Sequence, residues 1–385
     1  MIVRYLQRLV VVIFSLGSIF FSQELRAQEE GATDKEHSSE KKEGFNAGEV
    51  IFDHVLDAHE FHFFDYTRSD GSKHPVTIPL PVILYSPQRG LDIFSSSRFD
   101  HGHTVHNGYK LDHGKVLPVS ADGKLVNTVK VYDLSLTRNV VQMLLALTVF
   151  IFLMLRIASK YSAGVGRTKA PSGFQNAIES VIIFIRDDVA IPNLGHKHAR
   201  YLPYLLTVFF FILINNIFGL IPGSANVTGN IAFTAVLGVI SFFVILFSSN
   251  SHFWSHIFNP PGVPGFVKPI LILVEFLGVF IKPFALIIRL FANMVAGHII
   301  IISLISLIFI FGQINPAIGW ATSPFSIAFT VFIYFIEILV AFLQAYIFTT
   351  LTAVFIGLAM EEPHPKNAHH NPNLTTAKYD DPVII

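Results

Sequence analysis

The apolar stretch at positions 287–300, IIRLFANMVAGHII, contains an arginine, an asparagine and a histidine. Arg289 cannot relay protons, because arginine keeps its charge in proteins, but it can hold a nearby carboxylate ionised. Histidine titrates near neutral pH, and His298 follows nine residues later. Glu337 is the only carboxylate in the apolar run at about 321–359. The sequence therefore combines one fixed cation with two groups that can carry a proton.

Four charged residues recur at seven-residue intervals up to this point: Lys268, Glu275, Lys282 and Arg289. Seven steps of 100° return almost to the same direction, so these side chains form one stripe on an unbroken helix. A central arginine costs about 2.5–3.5 kcal/mol within a bilayer on insertion scales. Long side chains that reach the interface explain Lys268 and partly Lys282. They do not explain Arg289, which has long apolar runs on both sides, so we interpret Arg289 as functional.

Small residues surround Arg289 on its own face of the predicted helix. Ala292, Asn293 and Ala296 fall within about 60° of it around the helix axis. Small side chains at this spacing allow another helix to approach closely. Arg289 is therefore expected to face a packed partner rather than lipid. His298 lies about 180° away and is expected to point in the opposite direction.

Amide side chains on other segments extend the polar set. Gln344 lies seven residues after Glu337 and shares its helical face. Asn216 and Asn230 belong to other apolar segments, and both are candidates to line a hydrated path. Together these residues predict a proton pathway that is interrupted by an electrostatic barrier.

The elements that position these residues must be membrane helices. The chain is 52% hydrophobic and only 14% charged, whereas soluble domains are about 25% charged. Five runs are long enough to cross a bilayer, which takes about 20 residues: about 137–156, 202–221, 230–248, 269–312 and 321–359. The last two exceed the bilayer thickness, so we expect a tilted or broken pair, with a kink at Pro283, that forms a helical hairpin joined by residues 312–324. The fold class is therefore an all-α polytopic membrane protein.

Other classes are excluded by composition. The net charge is zero, so no basic field favours nucleic acid, and the absence of cysteine excludes disulfides, thiolate metal sites and cysteine nucleophiles. The histidines near 54–62 suggest a metal site, but His59 and His62 are three residues apart, whereas metalloprotease helices place them four apart. We interpret them as ordinary surface histidines, and no cofactor or metal is expected.

The N-terminal part of the chain divides into three predicted regions. Residues 1–27 have a basic start and a short apolar run, typical of a signal peptide cleaved after Ala27; the alternative is an uncleaved anchor. Residues 28–133 form a linker, to about 49, and then an extracytoplasmic region with predicted strands at 76–85 and 124–134. The membrane domain covers 134–360 and a tail covers 361–385.

Charge distribution predicts the orientation. The connection at 156–200 is rich in lysine and arginine and the 222–229 loop has neither, so the positive-inside rule places the former in the cytoplasm. The region before the first crossing is then outside, in agreement with a signal peptide. Five crossings place the C-terminal tail in the cytoplasm.

Several motifs resemble subunit a of the F-type ATP synthase, the stator half of its proton channel. The resemblance covers roughly 134–362 and rests on RLFANMVAGH (289–298), FIEILVAFLQAYIFTTLTAVFIGLAMEE (335–362), GFQNAIESVIIFI (173–185) and NPPGVPGF…EFLGVFIKPFALIIRL (259–290). It implies a non-catalytic subunit of the bacterial inner membrane, with its N-terminal region in the periplasm. Its implied partners are the c-subunit ring, the b-subunit peripheral stalk, the rest of the synthase and the lipid bilayer.

The resemblance also implies roles for individual residues. Arg289 would face the ring carboxylates and block direct leakage between two half-channels, and the signature amides correspond to Asn293 and Gln344. Some bacterial members exchange His298 and Glu337 for the opposite pair, glutamate and histidine, which would keep one acid and one imidazole. Some also carry an aspartate where this chain has Gly219. Protons would enter near Asn216, Asn230, His298 and Glu337.

Two alternative functions follow from the residues. A self-contained secondary transporter would favour internal repeats with broken helices in both halves, and no repeat is visible in the sequence. A membrane metalloenzyme would use the histidines near 54–62 and 101–113. The proton-channel interpretation accounts best for Arg289.

Overall fold

The computed structural model describes residues 48, 57–67, 73–112, 114–120, 125–126, 129–164, 172–221, 223–260 and 263–361. The predicted signal peptide at 1–27 lies outside the described residues. So do almost all of the predicted linker at 28–49 and the tail beyond Glu361.

A small β region precedes the helices. It contains two antiparallel hairpins and one three-stranded antiparallel sheet with strand order β4-β3-β7. The strands are β1 (Glu60–Thr67), β2 (Lys73–Pro79), β3 (Pro81–Ser86), β4 (Gly90–Ser95), β5 (Tyr109–Asp112), β6 (Lys115–Pro118) and β7 (Tyr132–Asp133).

Alternation along β3 builds the core of this β region. Val82 and Leu84 are fully buried, whereas Tyr85 points to the opposite face of the strand and is exposed. Phe99 and Tyr109 complete the same apolar core. The period of two that the sequence shows here therefore separates a packed face from an exposed face.

The two predicted strands are only partly correct. Residues 76–85 divide between β2 and β3 at Leu80, because Pro79 and Pro81 lack the amide hydrogen that a continuous ladder requires. Within 124–134, the described residues form the two-residue strand β7 and a bridge between Leu125 and Val119. Strand β7 pairs with β3 at two positions, Leu84 and Tyr85.

Helices dominate the remainder of the described chain. They are α1 (Arg138–Ser162), α2 (Phe174–Phe184), α3 (Ile191–Leu194), α4 (His198–Gly219), α5 (Ile231–Ser248), α6 (Ser251–Phe258), α7 (Lys268–Ile314) and α8 (Pro316–Met360). A π-helical turn at Ile185–Ala190 joins α2 to α3, and a 3₁₀ turn at Gly195–Lys197 joins α3 to α4.

Five helical segments are long and apolar enough to cross a membrane: Arg138–Ser162, Phe174–Gly219, Ile231–Ser248, Lys268–Ile314 and Pro316–Met360. This confirms the predicted class, an all-α polytopic membrane protein with a small β segment. One boundary is wrong, because helix fills much of the 156–200 connection that the sequence analysis treats as a loop. Ile185 and Val189 from that connection are fully buried in the bundle core, and this packing stabilises the helix.

The first helix of the long hairpin is unbroken, which is one of the two predicted alternatives, and only the connection differs from the prediction. Helix α7 continues through Pro283 for 47 residues, or about 70 Å, since membrane helices accommodate proline within their packing. The connection is Asn315 rather than residues 312–324. Asn315 accepts a hydrogen bond from the amide of Ala317 at 2.9 Å and Pro316 occupies the first helical position, a combination that starts α8 at once.

The bundle core lies between α4, α7 and α8. Leu205 and Phe209 from α4 pack with Leu290 from α7 and with Phe348 and Ile356 from α8, and all five are nearly inaccessible to solvent. Helix α1 packs Phe150 and Met154 against the edge of this core. It exposes about half of its apolar side chains, as expected for a helix with one face in contact with lipid.

Candidate functional site

Arg289 lies on the outer face of α7. Its side chain is exposed and makes no hydrogen bond or ion pair within the described part of the chain. The next buried residues of α7, Leu290 and Met294, are 1% and 0% exposed and hold the opposite face of the helix in the bundle. The structure therefore presents a permanent cation outwards from a helix that is anchored on its other side.

The small residues predicted around Arg289 share its exposure. Ala292, Asn293 and Ala296 are all exposed. Together with Arg289 they form what we call the cation face. A second helix that approached this face would meet little steric obstruction.

The two charged residues that precede Arg289 on the predicted stripe behave differently from it. Lys282 places its Nζ 5.4 Å from the centre of the Phe355 ring on α8, a cation–π distance. Glu275 is half-buried. Lys282 is therefore partly accommodated by the bundle itself, whereas Arg289 is not.

Glu337 projects from α8 towards Gly297 of α7. Glu337 is 3% exposed, and neither of its carboxyl oxygens has a hydrogen-bond partner within the described chain. A Cβ atom on Gly297 would collide with Glu337 Oε1. Gly297 is therefore the residue that makes space for this carboxyl group, and the hairpin brings Glu337 beside the residue that precedes His298.

His298 lies on the inner side of the same turn of α7. Its Nε2 atom is buried and has no hydrogen-bond partner among the described residues. The structure thus places Glu337 beside Gly297, the residue that precedes His298, and no hydrogen bond joins the two groups. Buried polar atoms are rarely left unpaired, so the buried atoms of both groups remain available to further partners.

Asn216 connects this site to α4. Its Nδ2 atom donates a hydrogen bond of 2.9 Å to the carbonyl oxygen of Ala341, and its Oδ1 atom is buried without a partner. Ala341 lies between Glu337 and Gln344 on one face of α8, and all three are buried. Asn216 therefore lies against the buried face of α8 that carries Glu337 and Gln344. We call these three residues, together with His298 of α7, the inner polar line.

Asn230 has a different environment from the other predicted residues. Its Oδ1 atom accepts a hydrogen bond of 2.9 Å from the amide of Ala232, so the side chain caps the start of α5. Asparagine is among the preferred residues for this position. The structure therefore gives Asn230 a helix-capping role and does not bring it to the inner polar line.

Two buried amides were not predicted from the sequence. Asn226 donates from Nδ2 to the carbonyl oxygen of Met294 at 3.3 Å, and Gln142 of α1 hydrogen-bonds the backbone of Ala225. A Cβ on Gly219 would contact Asn226 Oδ1 at 3.5 Å, so Gly219 packs against this loop. The available signal was Gln142 itself, an amide within an otherwise apolar crossing.

The histidines considered for a metal site are not arranged for one. The described residues contain no group of three histidine, cysteine, aspartate or glutamate side chains that could hold a metal ion. His59 instead lies 2.8 Å from Asp133, measured from Nε2 to Oδ2. The metalloenzyme alternative therefore has no geometric support within the described part of the chain.

Comparisons with known proteins agree with this geometry. Residues 140–357 match the family model described as "ATP synthase A chain", and residues 50–134 match one described as "Domain of unknown function (DUF8433)". The chain is similar to ATP synthase subunit a of Chloroherpeton thalassium, with 47% identity over 63% of this chain and 72% of that protein. It is also similar to ATP synthase subunit a 2 of Chlorobium luteolum, with 37% identity over 87% and 81%, and to ATP synthase subunit a of Myxococcus xanthus, with 40% identity over 68% and 83%.

Proposed function

This chain belongs to the ATP synthase A chain family, and we propose that it is the proton-conducting stator subunit of an F-type ATP synthase. In this proposal it catalyses no covalent reaction. It provides two half-channels to a rotating ring of c subunits and so couples proton flow to rotation. The observation that carries the proposal is Arg289, a cation of a membrane helix that points out of the bundle and has no partner within the described part of the chain.

The cation face supplies the interface with the ring. A charge exposed from a membrane helix is costly unless an opposite charge meets it, and the described chain offers Arg289 no such group. Each ring carboxylate that passes would be held ionised by Arg289 and could not carry its proton across. Asn293 lies on the same face and would contact the same ring helix.

The inner polar line supplies the uptake half-channel. His298 and Glu337 would exchange protons with water from outside, because their buried polar atoms lack partners in the described chain. Asn216 and Gln344 would extend this path, Asn216 through its unpaired Oδ1 atom. Asn230, which caps α5, would lie at the outer mouth, and protons would leave to the cytoplasm after nearly a full turn of the ring.

The proposed setting completes this function. The chain is a multi-pass membrane protein, and we place it in a bacterial inner membrane with the β region in the periplasm and the C-terminus in the cytoplasm. This orientation rests on the basic residues of the 156–200 segment. The b-subunit stalk and the remaining synthase subunits are the further partners.

Replacement of the cation tests the proposal. In the complete synthase, Arg289→Ala should reduce ATP synthesis driven by an imposed proton gradient to background, while the complex still assembles. Lys268→Ala is the matched control, because Lys268 is a cation of the same helix whose Nζ hydrogen-bonds Asn259. Normal coupled synthesis by Arg289→Ala would overturn the proposed function.

A further inference from the structure

The β region is attached to the membrane bundle at the start of α1. The amide of Asn139 donates a hydrogen bond of 3.1 Å to Asp57 Oδ1, and the amide of Arg138 donates one of 2.8 Å to the carbonyl oxygen of Ala58. Thr137, the local N-cap residue, makes no side-chain capping bond. Asp57, 82 positions before Asn139, therefore satisfies one of the amides that a helix start normally leaves unpaired, and Ala58 satisfies another.

Helix α1 is attached in turn to the buried loop between α4 and α5. Gln142 accepts a hydrogen bond of 2.7 Å from the amide of Ala225 and donates one to the carbonyl oxygen of Ala225. Gln142 is 4% exposed and Ala225 is fully buried. These two hydrogen bonds fix the position of α1 along its axis, and its rotation about that axis, relative to the loop.

The loop is attached to the helix that carries Arg289. Asn226, adjacent to Ala225, donates its hydrogen bond to the carbonyl oxygen of Met294. Met294 lies five residues after Arg289 and three before Gly297, so this contact lies between the cation face and the Glu337 site. Three hydrogen-bonded contacts, linked by short backbone segments of α1 and of the loop, therefore connect Asp57 to Met294 of α7.

We propose that the β region, whose matching family has no assigned function, acts as a clamp on the proton inlet. It holds the outer end of α1, and through Gln142 it holds the loop that positions α7. Asp57, Gln142 and Asn226 are positioning residues in this clamp, since their long-range hydrogen bonds within the described chain go to Asn139, Ala225 and Met294 and not to Arg289 or Glu337. The inference rests on the proposed proton-conducting function.

Proton conduction measured per assembled complex tests the clamp. In vesicles that contain the complete synthase, Gln142→Leu should lower the rate of gradient-driven proton uptake about tenfold, the scale expected when two neutral hydrogen bonds are lost. Asp57→Ala should lower it about threefold. Asp57→Asn should restore most of the rate, because its Oδ1 atom still accepts the amide of Asn139.

The control and the double variant separate a clamp from general destabilisation. Thr148→Val should leave the rate unchanged, since the Thr148 hydroxyl is exposed and bonds only its own helix at Leu144. In the Gln142→Leu background, Asp57→Ala should cause no further loss, because the series of contacts is already broken. An equal loss in both backgrounds, or no rescue by Asp57→Asn, would overturn the clamp.

The outcome also distinguishes the clamp from the proposed function. If Arg289→Ala is inactive while the Asp57 and Gln142 variants conduct normally, the clamp alone is wrong. If Arg289→Ala retains coupled synthesis, the proposed function is wrong, and so is the clamp that rests on it.

Discussion

Two histidine–carboxylate pairs of the β region contrast with three charged or titratable residues of the membrane bundle, Arg289, His298 and Glu337. In the β region, Nε2 of His59 lies 2.8 Å from Asp133, and Nδ1 of His101 lies 2.8 Å from Glu60. In the described bundle, Arg289 has no ionic partner, and buried atoms of His298 and Glu337 have no hydrogen-bond partner. The costlier environment thus contains the less satisfied groups.

This contrast separates structural from functional charge. A buried polar group that lacks a partner costs free energy, so a membrane bundle that kept such groups for stability alone would be disfavoured. In the proposed function the missing partner is external, either a passing carboxylate or a proton delivered by water. In the β region, His59 and His101 instead have carboxylate partners within the chain.

Exchange of the two proton-competent residues tests this contrast most strongly. His298→Glu alone and Glu337→His alone should each lower ATP synthesis about a hundredfold, the scale of a lost proton-transfer group. The double variant should recover at least about tenfold over either single variant, because it restores one acid and one imidazole beside Gly297. ATP synthesis by vesicles at equal amounts of assembled complex is the measurement.

One result would contradict the proposal that His298 and Glu337 act as a pair. If the double variant synthesises ATP no faster than the worse single variant, the two groups do not act as one unit. His103→Glu is a suitable control, because His103 is an exposed histidine of the β region and the change should leave synthesis unaffected.

The sequence predicted which residues share a helix face better than it predicted the environment of each residue. Helical spacing placed Ala292, Asn293 and Ala296 beside Arg289, and all are exposed with it. Such angles depend only on helix geometry. The environment of Asn230 could not be predicted in the same way, because a capping asparagine and a channel asparagine look alike in a sequence.

Long-range contacts set the limit of prediction for the fold. The five crossings follow from hydropathy, but Asp57 meets Asn139 across 82 positions and Gln142 meets Ala225 across 83. These contacts depend on how the β region and the loop pack against α1, and no local sequence pattern encodes that packing. The unbroken course of α7 through Pro283 likewise depends on packing by its neighbours.

Addition of one methyl group at Gly297 tests whether the membrane bundle needs the space that Gly297 leaves for the Glu337 carboxyl. Gly297→Ala should lower ATP synthesis about tenfold, since the new Cβ would displace the Glu337 carboxyl and misplacement by about 1 Å can cost up to a hundredfold. Combination with Glu337→Asp, which shortens the acid, should be more active than Gly297→Ala alone. Gly278→Ala is the matched control, because a Cβ there meets no atom within 4 Å. Equal loss in both glycine variants would show that Glu337 is not the cause.

Loss of the His59–Asp133 pair of the β region should have only a small effect, and the stability that this pair contributes should depend on pH. Although burial opposes it, hydrogen bonds from His59 and Ser135 hold the pKa of Asp133 below its usual value. An ionised carboxylate only accepts hydrogen bonds, so Nε2 of His59 is the donor. Because the folded pKa is depressed, this stabilisation is complete above the unfolded pKa of about 3.9 and is lost as pH falls through the folded value.

Asp133→Asn should therefore reduce local protection without a large loss of function. The amide of Ser135 donates to Asp133 Oδ1 at 2.9 Å. It should exchange its hydrogen about fivefold faster at pH 7, because the neutral asparagine oxygen accepts more weakly than a carboxylate, a loss of about 1 kcal/mol. Wild-type protection, corrected for intrinsic exchange, should fall below about pH 4, and the variant should lack that step. If Asp133→Asn instead abolished ATP synthesis in the assembled complex, a paired group of the β region would carry function directly, and the division between paired structural and unpaired functional charges would be wrong.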